Sequence, residues 1–377
     1  MISYKVLLVS PFPPPFGGIA SYSDNLYEGI VKKGIFVRKY NTAKYEKFRF
    51  HNPDRKRNYL RVLDPRNFIF FGAVVFDWVL FAFEIIRFRP DIVHVHTSSF
   101  WGWWRSIIYI SVARIFGKKT LLHIHNAIDR FYFQESGKTA RFFIRASLKI
   151  AHRHIALSDG IKDLVSKLTS KPVTSIYNGV HCRVFENDKQ YSSPLSVLFV
   201  GFVGSQKGVP DLLRAVRLSG LRAHEIRLTV VGAGDTAEMK GLAAELGLDG
   251  QVVFTGRVGE DEKISFFKSH HVLALPSYGE GQPISILEGM AAGMAILSTS
   301  VGSIPEIVKN GENGFLVRPG EIEGLSRAMI KLTDEVFLEK IGYANKKIAQ
   351  EKFNFSRVIA DNILVYGKIM GLTGTDT

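Results

Sequence analysis

Cysteine is nearly absent from this sequence of 377 residues, which contains only Cys182. A single cysteine excludes an internal disulfide and any zinc site built from several thiolates. It favours a reducing compartment, and we assign Cys182 no role. The N-terminus also lacks a charged leader followed by an apolar region and a small-residue cleavage site, so we expect no signal peptide.

Several signatures of metal and nucleophile chemistry are missing as well. The sequence has no D-x-D acidic pair, which could hold a magnesium–diphosphate complex, and no G-x-x-x-x-G-K-[ST] phosphate loop. It also lacks the G-x-S-x-G turn of serine hydrolases and the H-E-x-x-H helix of zinc proteases. We therefore expect neither a metal ion nor a bound cofactor.

Acidic residues are outnumbered by basic ones. The chain has 35 Asp and Glu against 49 Lys and Arg, which gives a formal net charge of +14. This balance favours an anionic partner, which could be a nucleotide, a nucleic acid or a phospholipid surface. No nucleic-acid recognition motif accompanies the charge, so we expect no nucleic-acid partner.

Short apolar runs alternate with helical patterns along most of the chain, which is typical of parallel sheets covered by helices. The runs that we predict to be strands are KVLLVS, DIVHVH, TLLHIH, HIALS, SVLFVG, IRLTVVG, VVFTG, VLALPS and MAILSTS. They form two sets separated near residues 181–194, and each set opens with a strand that enters a glycine-rich turn. The sequence thus predicts an α/β protein with two Rossmann-like domains facing each other across a cleft.

One region departs from this alternation. Residues 38–66 are rich in Lys, Arg, Tyr and Phe, and the apolar segment 67–86 that follows approaches the length of a membrane span. Asp77 and Glu84 lie seven residues apart, on one helical face, and both would be costly at bilayer depth. We therefore predict a buried or surface-lying helix. Its basic and aromatic flank fits an anionic membrane surface, and a solvated loop before a core helix is the alternative.

Two carboxylates, Glu280 and Glu288, bracket seven uncharged residues in EGQPISILE. Glu280 ends a strand-to-loop passage, Pro283 suits the first position of a helix, and Glu288 lies on that helix. Free amides at a helix start bind phosphate oxygens, and each carboxylate can accept hydroxyl hydrogen bonds. The pair therefore suits a sugar and a ribose on either side of a diphosphate. The alternative is an exposed capping acid and a solvated helix glutamate.

A cation and a set of histidines also follow predicted strands. Lys207 comes after a glycine-rich turn, from which it could reach a phosphate, although a surface turn is the alternative. His94 and His96 alternate on one predicted strand, and His123 and His125 alternate on another, so each pair shares a face of its strand. His125 at the strand's end can reach a cleft, whereas His123 lies deeper. We predict no metal site from these histidines.

These motifs occur in the same order as in a known family. The chain resembles a retaining GT-B-fold glycosyltransferase of family 4 (group 1), similar to bacterial surface-polysaccharide enzymes. The matching stretches are FGGIASYSDNL, DIVHVH, HIHN, ALSDGIKDLV, YNGV, KGVPDLL, LTVVGAGD, VVFTGRV, LALPSYGEGQPISILEGMAAGMAILST and GSIPEIVKNGENGFLV. The resemblance implies an acceptor-binding domain over 1–185, a nucleotide-sugar-binding domain over 190–353, and a C-terminal helix over 354–377 that packs back toward the first domain.

The resemblance also implies roles for particular residues. Glu280 and Glu288 match the family's glutamate pair, the first addressing the donor sugar hydroxyls and the second the ribose. Lys207 matches the lysine that neutralises the diphosphate, and His125 matches a histidine near the donor sugar and the acceptor. The implied catalytic residues are therefore His125, Lys207 and Glu280. Further implied donor-binding residues are Gly17 and Gly18 in the loop over the phosphates, Arg257 and Val258 beside the base, and Gln282.

Two positions depart from the family pattern. Phe202 stands where the family usually has a second phosphate-binding arginine, so one phosphate contact is missing or comes from elsewhere. Ser303 replaces a common glycine, and we expect the serine to be tolerated. Neither change touches the glutamate pair or Lys207.

The resemblance implies a metal-independent, retaining hexosyltransferase that uses a nucleotide-diphosphate sugar, with a UDP-sugar favoured. The expected acceptor is a saccharide, lipid-linked, in surface polysaccharide synthesis. The expected location is cytoplasmic, on the anionic inner face of the plasma membrane. Two alternatives stay open: a nucleotide-sugar epimerase of the same fold, and a non-catalytic membrane- or partner-binding module.

Overall fold

The chain forms two compact units. The structure, a computed structural model, describes residues 4–14, 17–43, 65–98, 101–125, 128, 132–133 and 136–372, with the backbone alone at 65–71 and 74. Unit 1 comprises residues 1–176 with 359–377, and unit 2 comprises residues 177–358. The segment just after residue 176 belongs to unit 2 because Val180, Cys182 and Phe185 pack in the hydrophobic core of that unit.

Unit 1 contains a six-stranded sheet with the order β2-β1-β3-β4-β5-β6, in which every pairing is parallel. Its strands are β1 (Lys5–Ser10), β2 (Phe36–Asn41), β3 (Ile92–Thr97), β4 (Lys119–Ile124), β5 (Arg153–Ala156) and β6 (Val173–Ser175). Its helices are α1 (Gly18–Lys32), α2 (Pro65–Phe88), α3 (Trp101–Ile115), α4 (Lys138–Ser147) and α5 (Asp159–Leu168), with the part of α13 (Phe355–Met370) that starts at Ile359. The strand order reverses at β1, so the loops after β1 and β3 leave adjoining strand ends.

Unit 2 contains a second six-stranded parallel sheet, with the order β12-β11-β10-β7-β8-β9. Its strands are β7 (Leu195–Val200), β8 (Ile226–Val231), β9 (Val252–Gly256), β10 (Val272–Leu275), β11 (Ala295–Thr299) and β12 (Gly314–Val317). Its helices are α6 (Val209–Leu218), α7 (Thr236–Glu245), α8 (Glu260–Ser269), α9 (Ile284–Ala291), α10 (Ile304–Ile307), α11 (Ile322–Lys331) and α12 (Glu335–Ile348), with 3-10 turns at Cys182–Phe185 and Ser205–Lys207 and a π-helical turn at Ala349–Phe353. The order reverses between β7 and β10, and Rossmann-like sheets bind ligands at such a reversal.

The apolar segment 67–86 lies within α2, which confirms the predicted helix. Both of its acids turn toward protein partners. Asp77 is buried and accepts hydrogen bonds from the hydroxyls of Tyr40 and Tyr109, and Glu84 pairs with Arg38 of β2 at 2.7 Å. No helix in the described part of the chain is both long enough and apolar enough to cross a membrane.

The basic region 38–66 is described only in part. Arg38 and Lys39 lie on β2, where Lys39 pairs with Asp24 at 2.5 Å, so these two cations belong to the edge of the sheet. Residues 44–64, which carry most of the charge of this region, lie outside the described residues.

Candidate active site

Lys207 and Glu280 meet at the reversal of the unit 2 sheet. Lys207 lies in the loop after β7 and Glu280 in the loop after β10, and these two strands are neighbours. Lys207 Nζ donates to Glu280 Oε1 at 2.6 Å, and Ser277 Oγ donates to the same oxygen at 2.7 Å. The side chain of Glu280 is only 10% exposed and both hydrogen bonds end on Oε1, so its orientation is fixed while Oε2 has no hydrogen-bond partner among the described residues.

The backbone fixes the approach of these two loops. Gly208 has φ +72°, and a Cβ at this position would lie 2.0 Å from the carbonyl oxygen of Pro276. The amide of Tyr278 also donates to the carbonyl of Gln206 at 3.0 Å. Only a residue without a side chain lets the Lys207 loop lie this close to the Glu280 loop.

A third loop, after β11, supports Glu280 from its other side. Gly302 has φ +57°, and a Cβ there would lie 2.1 Å from the carbonyl oxygen of Glu280. Ser303 is buried, and its hydroxyl donates to the carbonyl of Gly281 at 2.8 Å. The serine that departs from the family pattern thus makes a local hydrogen bond in this loop.

Glu288 lies on α9 and faces a lysine that the sequence analysis did not single out. Lys263 of α8 donates to Glu288 Oε1 at 2.9 Å and also pairs with Glu260 at 2.8 Å. Burial raises the pKa of Glu288, and the nearby ammonium of Lys263 offsets part of this effect. Burial opposes the charge of Lys263, but the two carboxylates outweigh it and raise the pKa of this lysine. Glu288 is therefore a largely enclosed carboxylate that already holds one cation.

The start of α9 differs from the prediction in one detail. Pro283 has φ −71° and ψ 121°, an extended conformation, so it is the N-cap and the helix starts at Ile284. Gln282 is buried before it, and Asn178 of the YNGV segment donates through its Nδ2 to the carbonyl of Gln282 at 3.0 Å. Asn178 was in a matching motif but received no role. This contact helps to fix the backbone of the loop that contains Gln282.

Among the remaining donor-binding candidates of unit 2, Arg257 and Val258 follow β9, the edge strand that lies two positions from β7. Gly256 ends β9 with φ +74°, Arg257 is exposed, and Val258 packs partly against the core. Phe202 is 59% exposed. A Cβ at Gly232 would lie 1.7 Å from the carbonyl oxygen of Gly201. The segment before Phe202 can therefore lie this close to residue 232 only because that residue is a glycine.

In unit 1, Gly17 and Gly18 form the start of α1, after β1. Gly17 is the N-cap in an extended conformation, and a Cβ there would meet no atom of a described residue within 4 Å. Gly18 is the first helical residue. Among the described residues, none takes up the space beside Gly17.

His125 follows β4 and is buried, as are His94, His96 and His123. His125 Nε2 and His96 Nδ1 share a hydrogen bond of 2.7 Å, and the ring of Tyr22 lies edge-on to His125 with centroids 5.0 Å apart. Burial lowers the pKa of His125 to about 3. At neutral pH this imidazole is uncharged, so it can hydrogen-bond to a ligand but cannot supply a positive charge.

Comparison with known families identifies the class of protein. The family described as Glycosyltransferase Family 4 matches residues 16–184, and the family described as Glycosyl transferases group 1 matches residues 184–348. Together the two matches span both units, and the chain belongs to the family 4, group 1 glycosyltransferases. It is an enzyme of the glycosyltransferase class.

Full-length relatives agree with this assignment. The chain is 26% identical to an uncharacterized glycosyltransferase of Methanocaldococcus jannaschii over 98% of this chain and 100% of that protein. Sucrose-phosphate synthase of Thermosynechococcus elongatus superposes with a TM-score of 0.76 at 18% identity, covering 98% of this chain and 99% of that one. Anabaena HepE, solved in complex with UDP and glucose, gives a TM-score of 0.69 at 15% identity over 97% and 100%. The predicted GT-B fold is confirmed.

Proposed function

We propose that this chain is a retaining hexosyltransferase that transfers a sugar from a nucleotide-diphosphate donor, by preference a UDP-sugar, to a saccharide acceptor. The observation that carries the proposal is the Lys207–Glu280 pair at the reversal of the unit 2 sheet. A diphosphate would take the lysine as its cation, and the sugar hydroxyls would donate to the carboxylate. The UDP bound to Anabaena HepE supports the choice of nucleotide.

The proposed reaction breaks the bond between the anomeric carbon and the phosphate oxygen, and the same carbon forms a bond to the acceptor oxygen. The leaving phosphate oxygen takes the acceptor proton, so the step needs no covalent nucleophile. Lys207, 30% exposed, offsets the charge that develops on the leaving group, and preorganised charges of this kind are a major part of catalysis. In this proposal transfer is metal-independent, and His125 contacts the sugar or the acceptor as a neutral imidazole.

Nucleotide binding is the first test of this proposal. We expect UDP at about 100 times its Kd to stabilise the wild-type chain by about 2.7 kcal/mol. Replacing Glu288 by alanine removes a charged acceptor for the ribose hydroxyls and should weaken binding about ten- to a hundredfold. The measurement is a thermal-shift series of UDP, GDP and their sugar conjugates, with the same chelator in every sample.

The matched control is Glu339→Ala, which removes an exposed glutamate of α12. This variant should keep the full nucleotide response. If no nucleotide at millimolar concentration stabilises the wild type, the donor site is absent and the non-catalytic module becomes the better explanation. If the chain converts one nucleotide sugar into another without an acceptor, the epimerase becomes the better explanation.

The proposed acceptor is lipid-linked, in surface polysaccharide synthesis on the inner face of the plasma membrane, and the support comes from the outer face of α2. Six apolar side chains of this helix are 39–61% exposed, and they repeat at helical spacing: Val75, Phe76, Val79, Leu80, Phe83 and Ile86. Phe81, Ile85 and Phe88 fill the core on the other side. Arg87 and Arg89 are exposed at the end of the helix, where cations attract anionic headgroups.

Membrane binding should depend on this face. Exchanging Phe83 for aspartate removes an apolar side chain from the lipid contact, and we expect about a ten- to hundredfold loss of affinity for vesicles of phosphatidylglycerol and phosphatidylcholine. Co-sedimentation at low and moderate salt measures it. Val336→Asp on α12, where the valine is 79% exposed, is the matched control and should bind as the wild type does. A wild type that ignores anionic vesicles at both salt concentrations would refute the membrane part.

A further inference from the structure

The core of unit 1 holds a cluster of imidazoles on two adjacent strands. β3 and β4 pair in parallel with His96 opposite His123, and His94 lies two residues before His96 on the same face. The ring centroids are 4.5 Å apart for His94 and His96, 4.8 Å for His96 and His123, and 5.4 Å for His94 and His123. All three side chains are at most 4% exposed. We call these three residues the imidazole cluster.

Each member of the cluster has a ring nitrogen with no hydrogen-bond partner among the described residues. The Nε2 atoms of His94 and His96 and both ring nitrogens of His123 are buried without a hydrogen bond to any residue that the structure describes. Native proteins rarely leave buried polar atoms unpaired, and each case requires an explanation. Several such atoms at one place indicate a ligand that accepts lone pairs from all of them.

The other nitrogens of two of these rings are already positioned. His94 Nδ1 shares a hydrogen bond of 2.8 Å with the hydroxyl of Tyr366, and His96 Nδ1 shares one of 2.7 Å with His125 Nε2. If both Nδ1 atoms carry the proton, both Nε2 atoms keep a lone pair that can bind a metal. Metal-binding histidines have this arrangement, with the second nitrogen donating to a neighbour that fixes the ring.

We propose that the imidazole cluster is a binding site for a divalent transition metal, zinc in the first place, that links β3 to β4. One nitrogen from each of His94, His96 and His123 lies within 4.8 Å of the other two. Tetrahedral zinc, with bonds of about 2.0–2.1 Å, needs nitrogens roughly 3.4 Å apart, so modest ring rotations close the site. Imidazole nitrogens suit zinc better than magnesium or calcium.

The burial of the cluster meets one requirement of such a site. All three side chains are at most 4% exposed, and burial favours the neutral form of a histidine, whose lone pairs can bind a metal. Three neutral ligands leave one tetrahedral position and the full charge of the ion. A zinc-bound water ionises near pH 7, so hydroxide in that position would reduce the buried charge.

Metal analysis tests this directly. We expect wild-type protein from zinc-supplemented cells, purified in metal-free buffer, to retain about one zinc per chain by mass spectrometry. His123→Phe keeps an aromatic ring in the core and removes no hydrogen bond of the described residues, so it should fold and lose the metal. His154→Phe is the matched control, because His154 is a buried histidine of β5 outside the cluster, and it should retain the zinc.

A zinc content below about 0.1 per chain in the wild type, or full retention by His123→Phe, would overturn the proposal. If His123→Phe fails to fold, X-ray absorption at the zinc edge of the wild type decides. Three imidazole ligands, with or without one oxygen ligand, support the site, and any other ligand set refutes it. The readout needs no nucleotide sugar, so its failure is distinct from a failure of the proposed transfer.

Discussion

Replacing Lys207 by methionine should lower the rate of sugar transfer about a hundred- to a thousandfold, the effect typical of removing one preorganised donor from a site of developing charge. Methionine keeps most of the side-chain volume but cannot offset the charge of a leaving diphosphate. The lysine is the only cation that the structure places against Glu280 among the described residues. Phe202, which replaces an expected arginine, increases this dependence. Steady-state rates with the donor identified by thermal shift measure the loss.

The control for this variant is Lys240→Met, because Lys240 is an exposed lysine of α7 in the same unit. Its transfer rate should stay within about twofold of the wild type, as expected for a surface change away from the site. Lys207→Arg keeps the charge and should recover part of the activity. If Lys207→Met transfers sugar at the wild-type rate, the lysine does not meet the leaving group and the proposed chemistry fails at this point.

The interior strands of both sheets could be predicted from the sequence, as could one edge strand, β9, but the other three edge strands could not. Every predicted run is a strand in the structure, because a parallel strand covered on both faces reads as a continuous apolar run. β2, β6 and β12 lie at the sheet edges and are largely half-exposed. None of the three was singled out as a strand, and residues 38–41 of β2 were included in the basic region 38–66.

The site was predictable where it depends on loops that follow strands. Lys207 and Glu280 each follow an apolar run, and the end of a parallel strand is where such folds place ligand contacts. Lys263 was missed because its contact with Glu288 depends on how α8 packs beside α9, which no local pattern shows. The imidazole cluster was missed for a similar reason. The alternation of His94 and His96 gave their shared face, but only the pairing of β3 with β4 brings in His123.

Gly208→Ala tests whether the backbone holds Lys207 against Glu280. Alanine at φ +72° carries a penalty of about 1–2 kcal/mol, and overpacking adds roughly 1–3 kcal/mol because its Cβ would lie 2.0 Å from the carbonyl oxygen of Pro276. The structure can relieve this contact only by moving the Lys207 loop away from the Glu280 loop. We therefore expect a lower free energy of unfolding by denaturant together with weaker UDP binding.

Gly247→Ala separates the two contributions, because Gly247 has φ +67° but a Cβ there would meet no atom within 4 Å in the part of the chain that the structure describes. It should show the conformational penalty alone, with unchanged UDP affinity, so the difference between the variants measures the contact with Pro276. Equal destabilisation by both would mean that the two loops adapt without strain. In that case the short distance between Lys207 and Glu280 would depend on the attraction between their charges. Raising the salt concentration, rather than replacing the glycine, would then weaken their contact.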